Sequence, residues 1–164
     1  MLKLAELNAL EREEFTRRLG SLFEHSPWVA ARTCAQRPFA SRAELHEALC
    51  ATVRAAREEE KLGLICAHPD LVGRAVLTSE SQAEQMSAGL GGLSAHDIAQ
   101  FEEYNRIYRE RFGFPFVICA RLNKRDAILR AFPERLVHSR EKEIKTALAE
   151  IYKIADLRLR DLVS

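Results

Sequence analysis

A chain of 164 residues with 47% apolar content can bury a substantial core and is most simply one domain, residues 1–164. Its 25 basic and 24 acidic residues leave a formal net charge of +1, too even a balance to draw in nucleic acid or an anionic membrane surface. The cysteines, Cys34, Cys50, Cys66 and Cys119, are far apart and form no C-x-x-C pair. That pattern speaks against a metal cluster or a disulfide framework and suits a reducing compartment.

The opening "MLKLAELNALEREEF" turns acidic too early for a secretory signal, and no apolar stretch approaches the roughly 20 residues that span a bilayer. The final "DLVS" is not the peroxisomal address, so the expected location is the cytoplasm. Asn8 with Glu11 has the form of a capping box and predicts an early helix start. Ser41 with Glu44 opens the next, and Leu45, Leu49, Val53 and Ala56 recur at helical spacing, predicting one amphipathic helix through Glu60. The apolar run Leu62–Ala67 then meets His68 and Pro69. Proline disfavours helical backbone in the residue before it, so His68 is expected at a helix end.

Ser79 with Gln82 predicts a short helix that carries Ser81, Glu84, Gln85 and Ala88 on one face and Ala83, Met86 and Leu90 on the other. A polar face of this kind is ordinarily turned to water. The glycine-rich turn "AGLGGLS" (88–94) leads to Ser94, which opens a helix with Ile98, Phe101, Tyr104 or Asn105, and Tyr108 along one side, and Gly113 ends it. "FPFVICA" (114–120) alone has β-like composition, and Pro115 argues against a central strand, so a buried, partly extended connection is expected. A last helix spans Ser139 to Leu162, with Ile144, Leu148, Ile151 and Ala155 at helical spacing. The fold class is all-α, with seven or eight helices.

Four places could carry chemistry, and each has a bland reading beside it. His68 could pass a proton near neutral pH, or simply bond nearby backbone at a helix end. The face of Ser81, Glu84 and Gln85 could bind a ligand, its small Ser81 and Ala88 leaving room, or could be solvated. Arg158 is reached from Ile144 through Ala147, Ile151 and Ile154, so it lies on the apolar side of its helix, whereas Arg160 falls on the wet side. A guanidinium facing inward needs an anion: a substrate carboxylate or amide, or an interior carboxylate of the protein itself. The backbone after Pro115 could meet a polar heterocycle, or only fill the core. The five histidines lack H-x-x-x-H spacing, so a metal site is not expected. No nucleophile elbow, phosphate loop or dinucleotide fingerprint is present. The residues alone lead to an all-α domain with a candidate His/Glu/Arg pocket.

"HPDL" (68–71), "SQAEQ" (81–85), "FGFPFVICA" (112–120) and "EIYKIADLRLRDLV" (150–163) together, in this order, resemble the OHCU decarboxylase family, which acts on 2-oxo-4-hydroxy-4-carboxy-5-ureidoimidazoline (OHCU). The resemblance runs from "LNAL" (7–10) to "DLV" (161–163). It implies a compact all-α domain, a homodimer without a cofactor, and formation of (S)-allantoin in the last step from urate. It also implies His68 as the catalytic histidine, Glu84 assisting it, and Pro69 as pocket wall. Ser81, Gln82, Ala83, Glu84 and Gln85 would form the binding helix. Phe116, Val117, Ile118, Cys119 and Ala120 would give backbone contacts to the substrate ring, and Arg158 would bind substrate. The stretch "LVGRAVLTSE" (71–80) is shorter than in some relatives, which bears on the pocket rim. Two other classes remain: a cofactor-free lyase or hydrolase of a related ureide, and a non-catalytic helical interaction module. The latter requires an exposed apolar stripe, and the sequence has none beyond those a core would use.

Overall fold

The computed structural model describes residues 1–73 and 76–164; Arg74 and Ala75, within the 71–80 stretch, lie outside the described residues. Nine α-helices and three 3-10 turns are present among the described residues. The β-type pairing among them is an isolated parallel bridge between Leu2 and Val163. The all-α expectation holds, with one helix more than the upper count. No helix among the described residues is long and apolar enough to cross a membrane. The chain divides into two units, Met1–Ala67 with Tyr152–Ser164, and His68–Ile151.

The first unit holds α1 (Leu4–Ala9), α2 (Arg12–Leu19), α3 (Trp28–Thr33), α4 (Arg42–Arg54), α5 (Glu58–Cys66) and the last turns of α9 (Arg140–Leu162). Its core includes Leu7, Phe15, Val29, Leu45, Leu49, Val53 and Leu159, each fully buried. Asn8 is not a helix cap, as its pairing with Glu11 suggested. It sits inside α1, its amide exchanging two 2.9 Å hydrogen bonds with the backbone of Phe39. Ser41 does cap α4, accepting from the Glu44 N–H at 3.1 Å.

The single helix expected from Ser41 to Glu60 is two helices. Glu58, Glu59 and Glu60 form the first turn of α5, where the positive end of the helix dipole favours acids. Glu60 also accepts the N–H of Arg57 at 3.0 Å, which satisfies a donor that a new helix start leaves open. An acidic run thus stabilises a second start better than the middle of a longer helix.

The second unit contains α6 (Ser79–Ser87), α7 (Ala95–Phe112), α8 (Arg125–Leu136) and the first half of α9. Ser94 caps α7, accepting from Asp97 N–H at 3.1 Å, and Gly113 ends it at φ +79°, a left-handed conformation that glycine takes without steric cost. Phe101, Tyr108, Phe114, Phe116 and Phe132 make an aromatic core in which Phe116 stacks on Phe132 at 3.9 Å. Residues 114–119 are buried and belong to no helix or strand, as their composition and Pro115 predict.

Candidate functional site

The backbone of α5 ends at Cys66, and two residues later His68 stands at the head of an irregular turn, 7% exposed, with Pro69 half-buried behind it. The helix-end position that proline imposes on its neighbour is therefore realised. Beyond it, Val72 adopts φ +58°, which a β-branched side chain resists at a cost on the order of 1–3 kcal/mol. Four polar side-chain contacts offset that strain. Gln85 accepts from the Val72 N–H at 3.1 Å and donates to the Asp70 carbonyl at 3.4 Å. Asn105 donates to the Leu71 carbonyl at 2.8 Å, and Arg109 bonds the Asp70 carboxylate at 3.1 Å.

Gln85 lies on α6, whose cap is Thr78 and not Ser79; its hydroxyl accepts from Ser81 N–H at 3.2 Å. The polar face of this helix turns inward. Ser81, Gln85 and Ala88 are buried and Glu84 is half-buried, while Gln82, Ala83 and Met86 are exposed. The inward polar groups find partners: Gln85 in the strained turn, and the carbonyl of Ala88 in the N–H of Arg125 at 3.2 Å. Met86, on the outer face, lies over Gly91, where any Cβ would stand 2.1 Å from its Sδ, while Leu90, expected on that face, is buried.

The end of α6 packs on the 3-10 turn Ala120–Leu122, and this brings the 116–120 backbone beside the helix. Phe116, Val117, Ile118, Cys119 and Ala120 are all buried. The Cys119 N–H reaches Glu150 Oε1 at 3.5 Å, and the Val117 carbonyl accepts from Arg135 at 2.5 Å. Burial pushes the Cys119 thiol pKa up, and the nearby carboxylates of Glu150 and Glu84 push it the same way. Glu150, 7% exposed, escaped the sequence reading, although it stands four and eight residues before Ile154 and Arg158 on the inward side of α9.

Within the second unit the structure thus joins three of the expected pieces: the His68 turn, α6, and residues 116–120. Arg158 belongs to the first unit. It is 6% exposed, donating to the Ser21 carbonyl at 2.9 Å and pairing with Glu24 at 3.1 Å. The interior carboxylate that an inward guanidinium could meet is therefore present. Arg160 is on the surface, paired with Asp156 at 2.6 Å.

The family model of OHCU decarboxylase matches residues 8–160. The chain belongs to the OHCU decarboxylase family. It is 44% identical to 2-oxo-4-hydroxy-4-carboxy-5-ureidoimidazoline decarboxylase of Haloferax volcanii, over 99% of this chain and 97% of that one. Against the protein of the same name from Mus musculus the identity is 39%, over 99% and 93%. Among solved structures, (S)-allantoin synthase aligns with a TM-score of 0.81 at 28% identity, over all of this chain and 54% of that chain. OHCU decarboxylase crystallised in the presence of (S)-allantoin aligns at 0.73 and 25% identity, over 93% and 98%. For an OHCU decarboxylase family member, a carboxy-lyase, the groups of interest are the buried histidine, the half-buried glutamate and the buried backbone segment 116–120.

Proposed function

We propose that this chain decarboxylates OHCU to (S)-allantoin and CO2 without a cofactor, the whole of residues 1–164 acting as one catalytic domain. The family match, which runs through both units, supports the domain reading. The observation that carries the mechanism is local: buried His68 heads a turn strapped by Gln85 to the helix that bears Glu84.

Breaking the bond to the carboxylate leaves an electron pair on carbon, and the adjacent C=N of OHCU accepts it. The remaining task is one proton, delivered to one face. That asks the protein for orientation and a largely dry setting for the departing group. In this reading His68 is the acid/base, giving that proton or taking the one on the substrate hydroxyl, and Glu84 pairs with it or holds ring or ureido N–H groups. Residues 116–120 meet the ring through their backbone, and Pro69 and Ser81 form walls. Gln82 and Ala83 are exposed and serve as the helix frame that carries Ser81, Glu84 and Gln85. Gln85 gives its amide to the turn and acts by holding it. Arg158 is the fork for a carboxylate or ureido oxygen. The reading includes a homodimer located in the cytoplasm, which light scattering of the purified protein tests for assembly.

His68→Asn tests the assignment. The variant is expected to fold as the parent does and to lose about 10²–10⁴ in kcat, the span of a general acid–base contribution. Near-parental turnover in a folded His68→Asn protein sinks it.

A further inference from the structure

Among the described residues no strand lies beside residues 116–120, and side chains bond their backbone instead. Arg135 on α8 is 6% exposed and donates through Nη1 to the Val117 carbonyl at 2.5 Å. Its guanidinium carbon lies 4.2 Å from the centre of the Phe116 ring, the ring that stacks on Phe132. One cation therefore grips both a carbonyl and a side chain of the segment. That cation is itself oriented by Glu143, which is fully buried. Glu143 accepts from Arg135 Nε at 2.5 Å and from the Tyr108 hydroxyl at 2.6 Å, and its second oxygen lies 3.0 Å from His138 Nδ1. Arg135 Nη2 is buried without a hydrogen-bond partner among the described residues. A purely stabilising group would more economically be apolar, because burying an ion pair costs desolvation that its attraction barely returns.

We propose that Arg135 and Glu143 are a positioning pair that holds residues 116–120 in the geometry that receives substrate. The proposal rests on the reading that this backbone contacts OHCU. Arg135 touches the Val117 carbonyl and the Phe116 ring, so it acts through them and is not itself a catalytic residue.

Arg135→Met alone would strand a buried carboxylate and unfold the protein for an uninformative reason. The double variant R135M/E143Q removes both charges and keeps an acceptor for Tyr108. It is expected to melt close to the parent, yet to bind OHCU about tenfold more weakly in KM with kcat little changed, the mark of lost uniform binding. A second readout needs no substrate. Cys66 is exposed while Cys119 is buried within the gripped segment, so mass mapping after an aromatic disulfide reagent should show Cys66 labelled in both proteins and Cys119 only in the variant. R135K, which keeps a cation by Glu143 but lacks the fork for both partners, should show the same two changes more weakly. A variant that keeps Cys119 protected overturns the proposal, as does one that exposes Cys119 and still binds OHCU as the parent does. If the parent itself fails to accelerate OHCU decay, the functional reading falls, while Cys119 labelling still decides whether the pair holds the segment.

Discussion

Arg158 and Arg135 are each 6% exposed, and each pairs with a carboxylate that is almost wholly buried, Glu24 and Glu143 respectively. Their surroundings differ. Glu143 gathers Arg135, Tyr108 and His138, and Arg135 faces two aromatic rings and the Val117 carbonyl. Arg158 bonds Glu24 and the Ser21 carbonyl near the end of a long helix. Burial and an ion pair are thus common to both and cannot by themselves separate a substrate fork from a positioning group. What separates them is what each loses once its charge is neutralised together with its partner's.

The largest effect is expected at Arg158. Arg158→Met takes the cation from buried Glu24, at roughly 3–5 kcal/mol of stability by calorimetry. Adding Glu24→Gln should return most of that stability while kcat/KM stays down by about a hundredfold, the worth of charge-assisted hydrogen bonds to substrate. Recovery of activity with stability would make Arg158 purely structural. The R135M/E143Q protein should come next, with about tenfold in KM and little in kcat.

Tyr108→Phe should have a smaller effect, removing one hydrogen bond to Glu143 for about 1–2 kcal/mol and leaving the kinetics alone. It should also change the alkaline limb of stability. Burial first, and then the hydrogen bond to Glu143, raise the Tyr108 pKa far above its usual 10.0. The native state thus keeps a proton that the unfolded chain gives up, so this contribution is whole below pH about 10 and shrinks above it, by up to roughly 1.4 kcal/mol per pH unit. Cys50 and Tyr152 in the first unit, both raised to about 12 chiefly by burial, act in the same direction from about pH 9 and 10 upward. Melting temperatures followed from pH 8 to 11 should fall less steeply for Tyr108→Phe than for the parent; an unchanged slope would place the alkaline loss in the other groups.

The two arginines also show what a sequence can reveal. Arg158 was legible because Ile144, Ala147, Ile151 and Ile154 lead to it by helical steps. Ile128 and Phe132 lead to Arg135 in the same way, but Pro133 inside α8 interrupts the pattern, and a helix through it is not the natural reading. The α7 helix was legible from both ends, since Ser94 and Gly113 act locally. The inward polar face of α6 was not, because the groups that satisfy Gln85 lie at Asp70 and Val72, more than ten residues away. Asn8 is the same case, its partner being Phe39. The motif order that marks the family was readable throughout, whereas the strained Val72 turn and the Glu143 cluster exist only through contacts between distant residues.

The most direct test follows OHCU freshly generated from urate by circular dichroism, with and without the protein. The reading predicts faster loss of OHCU and a persistent signal of (S)-allantoin. Decay at the uncatalysed rate to racemic allantoin would contradict it.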